Sequence, residues 1–417
     1  MSDFKKIAIY AGKYFRTFYR WLFVSAFVGG VCGLVGALFH LAVNHATTFR
    51  MSHSWLIYLL PLGGFLIAGM YRITKMKGVG TNRIIDSIHE GDGIRVLLVP
   101  VVFIATVITH LVGGSAGREG AALQIGGGLG NKIGRLLRLD DKDMRVVTLC
   151  GMSAVFAALF GTPLTATIFA LEVISVGVLY YVALIPCLVS SIVAFAISLW
   201  FKLPPTRFVV SMEPLTALTL LKVAVLAIAC AVVSIAFCVA LHKTEELAVN
   251  KIKHGCTRAV IGGCILIALT LLVGSNAYNG AGEDIIESAI NQGVAPSWAF
   301  FWKIVFTVIT IACGFKGGEI VPTFFIGATL GCTLGPLLGL PAGFAAAIAL
   351  VAVFCGNVNC PIASIVLSVE LFGSGELIYF ALACAIAYML SGYFGLYSSQ
   401  KIIYSKTRAE YINRFAR

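Results

Sequence analysis

The sequence predicts an all-α, polytopic membrane protein built as one domain. Its mean hydropathy is +0.93, 59% of its 417 residues are hydrophobic and only 12% are charged, which leaves too little polar surface for a soluble protein of this length. Apolar runs such as 21–43 and 220–241 exceed the roughly 20 residues that a helix needs to cross the hydrocarbon core. The polar stretches between such runs are short, so we expect a single membrane domain over residues 1–417.

Charged residues flank the apolar runs and predict the topology. The net charge is +12, and lysines and arginines cluster before the first span and after the last. Because positive residues favour the cytoplasmic side, we expect a multi-pass protein of the cell (inner) membrane with both termini in the cytoplasm. The acidic segment 277–300 suits the outside, whereas the basic connectors 71–83 and 242–258 suit the inside. The charges form no continuous patch, which argues against a nucleic-acid partner.

The first apolar run is long enough to span and is not followed by a small-residue cleavage site. We interpret it as a retained helix and not as a signal peptide.

The sequence shows no pattern typical of catalysis or metal binding. Twelve cysteines lie mostly inside apolar runs, and no pair has metal-ligand or redox spacing. We interpret them as small buried hydrophobic residues. A hydrolase needs a nucleophile–base pair or a metal constellation, and neither is found. We therefore predict no enzymatic activity, no metal and no cofactor.

The chain contains an internal repeat. The segment AVFAALFGTPLTATIFALEV begins at Ala154, and AVFCGNVNCPIASIVLSVEL begins at Ala352, an offset of 198 residues. This offset superimposes Glu172 on Glu370. Both acids fall near predicted helix ends, so we interpret them as structural or interfacial residues.

A second pair of segments supports the same repeat. GSAGREGAALQIG and GFKGGEIVPTFFIG match Glu119 with Glu319 at an offset of 200 residues. Two similar halves in a membrane protein indicate a transporter whose site lies at the repeat interface. We place the first repeat at about 20–205 and the second at about 215–400.

Glycines surround both matched acids and predict helices that begin inside the membrane. Irregular backbone at membrane depth must be buried in protein or line a wet cavity. The N-terminus of a broken helix offers free N–H groups and a positive dipole end, which together attract anions. Glu119 and Glu319 are expected at such helix starts, where a carboxylate competes with a mobile anion and leaves when protonated. Arg118 would add positive potential or hold the loop by hydrogen bonds.

Five motifs, in the same order and spacing, resemble those of the CLC chloride channels and transporters. GVGTN (78–82), GREGA (117–121) and GGEIVP (317–322) are similar to the family's GSGIP, GREGP and GGxFxP. TPLTATIFALEV matches the family's inner glutamate helix, and Tyr397 in GYFGLYSSQKI matches its pore tyrosine. The resemblance covers nearly the whole chain. It implies the CLC fold, with two inverted-topology repeats of about 16–18 broken and tilted helices, and a homodimer with one pore per subunit. Because no extended polar stretch follows the last span, we expect short cytoplasmic tails without CBS domains.

The resemblance also implies the roles of individual residues. Glu119 and Glu319 would gate the pathway and couple protons to the anion. The residues that would bind the anion are Val79, Gly80, Asn82, Gly117, Arg118, Gly120, Gly318, Ile320, Val321 and Tyr397.

Four departures from the chloride-transporting pattern favour another ion. Val79 replaces the usual pore serine, Asn82 replaces a proline, and Glu319 replaces an apolar residue. Val173 stands where chloride/proton exchangers carry an inner glutamate. These features resemble the fluoride-exporting branch, which exchanges fluoride for protons.

Fluoride is strongly hydrated and needs strong donors to replace its water, and a protonated carboxylic acid is such a donor. This chemistry is compatible with what the resemblance implies, which is a fluoride/proton antiporter. The alternatives are a chloride-selective CLC transporter and a passive anion channel.

Overall fold

The long apolar runs form the long helices of the fold. The structure, a computed structural model, describes residues 2–76, 80–91, 93–211, 213–375 and 377–416. The run 21–43 lies in the first helix and the run 220–241 in the ninth. Seven helices in this part of the chain are long and apolar enough to span a membrane, which confirms the prediction of a helical, polytopic membrane protein.

Sixteen α-helices are found in the described ranges, within the expected 16–18. The first half contains α1 (Ser2–Ser52), α2 (Leu60–Ile73), α3 (Thr81–Glu90), α4 (Leu98–Val112), α5 (Glu119–Leu136), α6 (Asp141–Phe160), α7 (Pro163–Glu172) and α8 (Leu184–Trp200). The second half contains α9 (Ala217–Lys251), α10 (Gly255–Val273), α11 (Glu283–Glu287), α12 (Ala299–Ala312), α13 (Ile320–Leu334), α14 (Ala342–Val358), α15 (Pro361–Phe372) and α16 (Leu377–Leu390). Short 3₁₀ or π turns connect them at Ser54–Leu59, Tyr181–Ala183, Ser288–Gln292 and Pro336–Leu338.

The two halves pack alike around a central pair of buried helices. Helix α5 lies against α6, and its counterpart α13 lies against α14. Gly126 of α5 meets the backbone of Gly151 in α6, and Gly327 of α13 meets the backbone of Ala349 in α14. Small residues let membrane helices approach closely, so the repeat seen in the sequence is also a repeat of packing.

Glu172 and Glu370 join the halves as reciprocal helix caps. The Glu172 carboxylate, at the end of α7, accepts hydrogen bonds from the backbone amides of Ile362 (3.2 Å) and Ala363 (2.8 Å) at the start of α15. The Glu370 carboxylate, near the end of α15, accepts hydrogen bonds from two amides in the first turn of α7, at 3.0 and 2.7 Å. Helices α7 and α15 are therefore antiparallel, as inverted repeats require. These contacts lie between the repeats, where both acids were expected, and their purely structural role stays a prediction.

A small sheet adds to the helical fold, and the sequence did not predict it. Strand β1 (Ser175–Val176) follows α7, whereas β2 (Lys401–Tyr404) and β3 (Tyr411–Phe415) lie in the C-terminal tail. β1 pairs in parallel with β2, and β2 pairs antiparallel with β3. The sheet attaches the tail to the first half of the molecule.

Lys406, between β2 and β3, fastens the same tail to the second half. Its ammonium group donates hydrogen bonds to the Asn359 side chain, to the carbonyl of Tyr388 (2.9 Å) and to the hydroxyl of Ser391 (3.0 Å). The segment 391–400, which carries Tyr397, is thus held between the last helix and an anchored tail.

Candidate functional site

The two glycine-rich loops meet at the centre of the molecule. Gly117 and Gly318 form an isolated antiparallel bridge in which each amide donates to the other's carbonyl at 2.7 Å. The first loop leads into α5 and the second into α13. The bridge therefore holds two helix N-termini side by side at the repeat interface, where the sequence placed the site.

Glycine is required at this bridge by close contact between backbones. A Cβ atom on Gly318 would lie 2.9 Å from the amide nitrogen of Glu119, and one on Gly120 would lie 3.0 Å from the Cα atom of Gly318. Real Cβ contacts are almost never this short, and both neighbours are backbone atoms that cannot move aside. Any side chain here would push the two helix ends apart.

Glu119 is the first residue of α5 and is fully buried. Its Oε2 atom accepts a hydrogen bond from the backbone amide of Arg118 at 2.9 Å. Its Oε1 atom has no hydrogen-bond partner in the described chain, and the Nε atom of Arg118 is 3.8 Å away. One carboxylate oxygen is thus held weakly at the helix end while the other is free to accept a proton.

Glu319 is the N-cap residue of α13 and is partly buried. Its Oε2 atom is buried without a hydrogen-bond partner among the described residues. A Cβ atom on Gly120 would be 3.2 Å from this oxygen, so the carboxyl group lies against the start of the other central helix. The structure brings the two repeat-matched acids to the same bridge.

Donors without acceptors surround the two acids. Ile320 and Val321 are the first two residues of α13 and are buried, and neither amide finds an acceptor in the part of the chain that the structure describes. The hydroxyl of Tyr397 is also buried without a partner there, and the side chain is 2% exposed. The carboxyl groups of Glu119 and Glu319 both act electrostatically on this tyrosine. Unsatisfied donors at membrane depth are expensive, and a bound anion would satisfy them.

Gly80 and Asn82, from the first motif that was predicted to bind the anion, lie at the start of α3. Gly80 is the N-cap of α3, whereas Val79 lies outside the described residues. The Asn82 side chain donates to the Ser398 hydroxyl at 3.0 Å and accepts from the Ser399 amide at 3.2 Å. Both ends of the Asn82 amide group are thus bonded to the segment that carries Tyr397, and the part of Asn82 in anion binding stays a prediction. Asn82 positions that segment.

Arg118 holds its loop by hydrogen bonds, which is one of the two roles predicted for it. Its side chain is 5% exposed. One terminal nitrogen donates to the Asn44 side chain at 2.8 Å, and the other is 3.1 Å from the carboxylate of Glu283. These contacts fix the residue before Glu119 without using all of its N–H groups.

Sequence reasoning missed one buried charge beside the site. Lys303 in α12 has no exposed surface, and its ammonium group donates to the carbonyl of Gly280 at 2.7 Å. It also lies 4.8 Å above the ring of Phe325. The signal was present in the sequence, because Lys303 is a lone ionisable residue within AFFWKIVFTVITIA, and such residues mark functional regions of membrane proteins.

Comparisons with known proteins agree with this geometry. A family model described as "Voltage gated chloride channel" matches residues 63–392. The chain is 39% identical over 396 residues to a "Chloride/fluoride channel protein" of Pseudomonas syringae pv. tomato, which covers 93% of this chain and 87% of that protein. A solved CLC-type fluoride/proton antiporter superposes with a TM-score of 0.89 at 32% identity, over 92% of this chain and 98% of that chain. A slow cyanobacterial Cl⁻/H⁺ antiporter superposes with a TM-score of 0.77 at 20% identity, over 89% and 94% of the two chains, and so supports the fold alone.

Proposed function

Because this chain belongs to the voltage-gated chloride channel (CLC) family, we propose that it exports fluoride across the cell membrane in exchange for protons. The proposal depends on one observation: Glu119 and Glu319 lie at two helix starts joined by the Gly117–Gly318 bridge. The names of the relatives, a chloride/fluoride channel protein and a CLC-type fluoride/proton antiporter, support fluoride as the transported anion.

Exchange follows from competition between the Glu119 carboxylate and the anion. The ionised carboxylate occupies the positive end of α5, where an anion would otherwise bind. A proton added at its free Oε1 atom removes the charge and with it the attraction to the helix end. The neutral side chain leaves and carries the proton, and fluoride takes the vacated position. The amides of Ile320 and Val321 and the hydroxyl of Tyr397 then donate to the ion.

Glu319 gives fluoride a donor that apolar residues lack at this position. Removing water from fluoride is expensive, and a carboxylic acid offers an O–H group only when it is protonated. The Oε2 atom of Glu319 is buried, unpartnered and close to Gly120, so a proton on it can be shared with an ion at the start of α5. Two acids near one ion also interact, which favours one proton between them.

Flux through reconstituted vesicles tests this function. Wild-type protein should release fluoride, measured with an ion-selective electrode, and should drive proton movement in the opposite direction. Glu119→Gln and Glu319→Gln should each abolish proton coupling, whereas the capping variant Glu172→Gln is the matched control and should retain it. A chloride rate well above the fluoride rate would instead favour a chloride-selective transporter. Fluoride dissipation without proton movement would favour a passive channel.

We further propose that the protein is a homodimer and that each chain forms a single membrane domain, whose halves span about 20–205 and 215–400. Both termini would lie in the cytoplasm. Exposed apolar side chains on α8 and α16, among them Ile185, Ile192 and Ile378, suit contact with a second copy. The apparent mass in detergent and the protease accessibility of a terminal tag test these two points.

A further inference from the structure

A cavity of about 570 Å³ lies next to Arg118, on the face that carries the loop 275–284. In the proposed topology this is the outer face. The cavity is lined by the end of α1, including Asn44 and Arg50, by His110 and Arg118, and by the loop itself. It therefore begins where the path from Glu119 reaches the outside.

Three residues that line the cavity each carry a buried nitrogen atom without a hydrogen-bond partner in the described chain. These atoms are Nε of Arg50, Nε of Arg118 and Nδ1 of His110. Arg118 and His110 are only 5% and 1% exposed. Two guanidinium groups line this one cavity and favour a small anion there, because charge-assisted hydrogen bonds are about twice as strong as neutral ones.

The wall opposite α1 is fixed in place by a buried cation. The Lys303 ammonium group donates to the Gly280 carbonyl, and the Gly280 amide donates to the Gly114 carbonyl at 3.2 Å. The Asn279 side chain donates to the Gly113 carbonyl at 3.1 Å. Loop 275–284 is thus bonded to the loop that leads to Glu119, so the cavity has a rigid shape.

Two carboxylates on the same loop oppose anion binding. Glu283 lies 3.1 Å from Arg118 with its side chain 53% exposed, and Asp284 acts electrostatically on Arg50. Each acid sits where it partly neutralises one of the two arginines. Glu283 is the more exposed partner, so it can leave Arg118 without being buried elsewhere.

We infer that this cavity is a second anion site, in which a halide ion binds between Arg50 and Arg118 and is displaced by Glu283 on its way out. The inference rests on the proposed anion transport and extends it to the exit. The site receives the ion that Glu119 releases from the centre. Because Glu283 competes with the anion for Arg118, the anion affinity of the site stays low. Low affinity suits an exporter, since external anions then rarely re-enter the site.

The second site is tested by measuring anion affinity separately at each membrane face, in one variant that loses a positive charge and one that loses a negative charge. Right-side-out membrane vesicles expose the outer face to added fluoride or chloride, and inside-out vesicles expose the other face. Arg50→Gln should raise the half-saturating anion concentration about fivefold at the outer face, from the attraction between unit charges about 4 Å apart in a water-like dielectric. Glu283→Gln should lower it by a similar factor. Neither should change the value at the inner face.

Lys222→Gln is the matched control, because Lys222 donates to the Gly339 carbonyl and lies outside the cavity lining. It removes one positive charge and should leave both values unchanged. Arg50→Lys should restore outer affinity in part, which separates loss of the site from loss of the fold. Unchanged outer affinity in well-folded Arg50→Gln, or equal shifts at both faces, would overturn the second site while leaving fluoride/proton exchange intact. Failure of the wild type to move fluoride at all would instead overturn the proposed function.

Discussion

Replacing Glu172 or Glu370 by glutamine tests whether the two repeats are joined by their reciprocal caps. The side chain keeps its size, but the charge is lost and one of the two acceptor oxygens becomes a donor. Each carboxylate accepts two backbone hydrogen bonds, at 3.2 and 2.8 Å for Glu172 and at 3.0 and 2.7 Å for Glu370. Each variant should therefore lose one hydrogen bond and the attraction to a helix N-terminus.

The size of the effect follows from these contacts and from burial. A hydrogen bond to a charged acceptor contributes about 1.5–3 kcal/mol, and a charge at a helix end contributes about 0.3–2 kcal/mol. Glu172 is 6% exposed, so Glu172→Gln should lower the free energy of unfolding by about 2–4 kcal/mol. Glu370 is more exposed, and its loss should cost about 1–2 kcal/mol. Glu172 caps α15 at residues 362 and 363, and Glu370 lies seven to eight residues further along that helix. At 1.5 Å per residue the two acids are about 11 Å apart, so the double variant should be additive.

Thermal unfolding in detergent, followed by circular dichroism, measures the stability loss, and vesicle flux measures the ratio of protons to anions. Loss of a structural cap should lower the thermal stability and leave the ratio of protons to anions unchanged. A changed proton-to-anion ratio in Glu172→Gln would refute the reasoning, because Glu172 would then belong to the proton route. Full stability in both single variants would refute the capping argument itself.

Three further outcomes follow from the structure. Tyr397→Phe should weaken fluoride affinity and yet raise thermal stability slightly, because it removes a buried hydroxyl without a partner. Tyr379→Phe is the control: the Tyr379 hydroxyl donates to the Pro214 carbonyl, so its loss should lower the free energy of unfolding by about 1 kcal/mol. Gly318→Ala should prevent folding to a monodisperse protein in gel filtration, whereas Gly69→Ala, with open space around it, should not; normal assembly of Gly318→Ala would contradict the close bridge. Burial lowers the pKa of Lys406, outside the spanning helices, from 10.5 to about 8. The unfolded chain then binds more protons between these values, so stability should rise between about pH 8 and pH 10.5, and Lys406→Met should flatten that slope in melting curves.

The central features of the site could be predicted because they are local or repeated. An offset of 198 or 200 residues aligns Glu119 with Glu319 and Glu172 with Glu370, and similar halves of a membrane protein meet at one interface. The glycines next to the first two acids already indicated close backbone contact. Burial, charge and periodicity were enough to place these residues, although their roles in transport are a proposal.

Contacts between distant segments were the part that could not be predicted. Asn82 bonds to Ser398, 316 residues away, and nothing near Asn82 in the sequence identifies that partner. The two residues of β1 are too few to show a strand pattern, and their pairing with the tail depends on where α7 ends. The position of Lys303 in an apolar run indicated a buried charge. Only the fold shows that this charge holds the loop 275–284 through the Gly280 carbonyl.

The two central loops have similar backbones and different polar surroundings, and this difference matters for a transporter made of inverted halves. If both halves were identical, the ends of the pathway would be energetically equivalent. Arg118, beside Glu119, is bonded to Asn44 and faces Glu283. Lys316, three residues before Glu319, lies 4.7 Å above the ring of Tyr71, and its ammonium group has no hydrogen-bond acceptor in the described ranges. One loop thus presents a cation held by a hydrogen bond and an ion pair. The other presents a cation without hydrogen bonds among the described residues, on which the carboxylates of Glu245 and Glu319 act electrostatically.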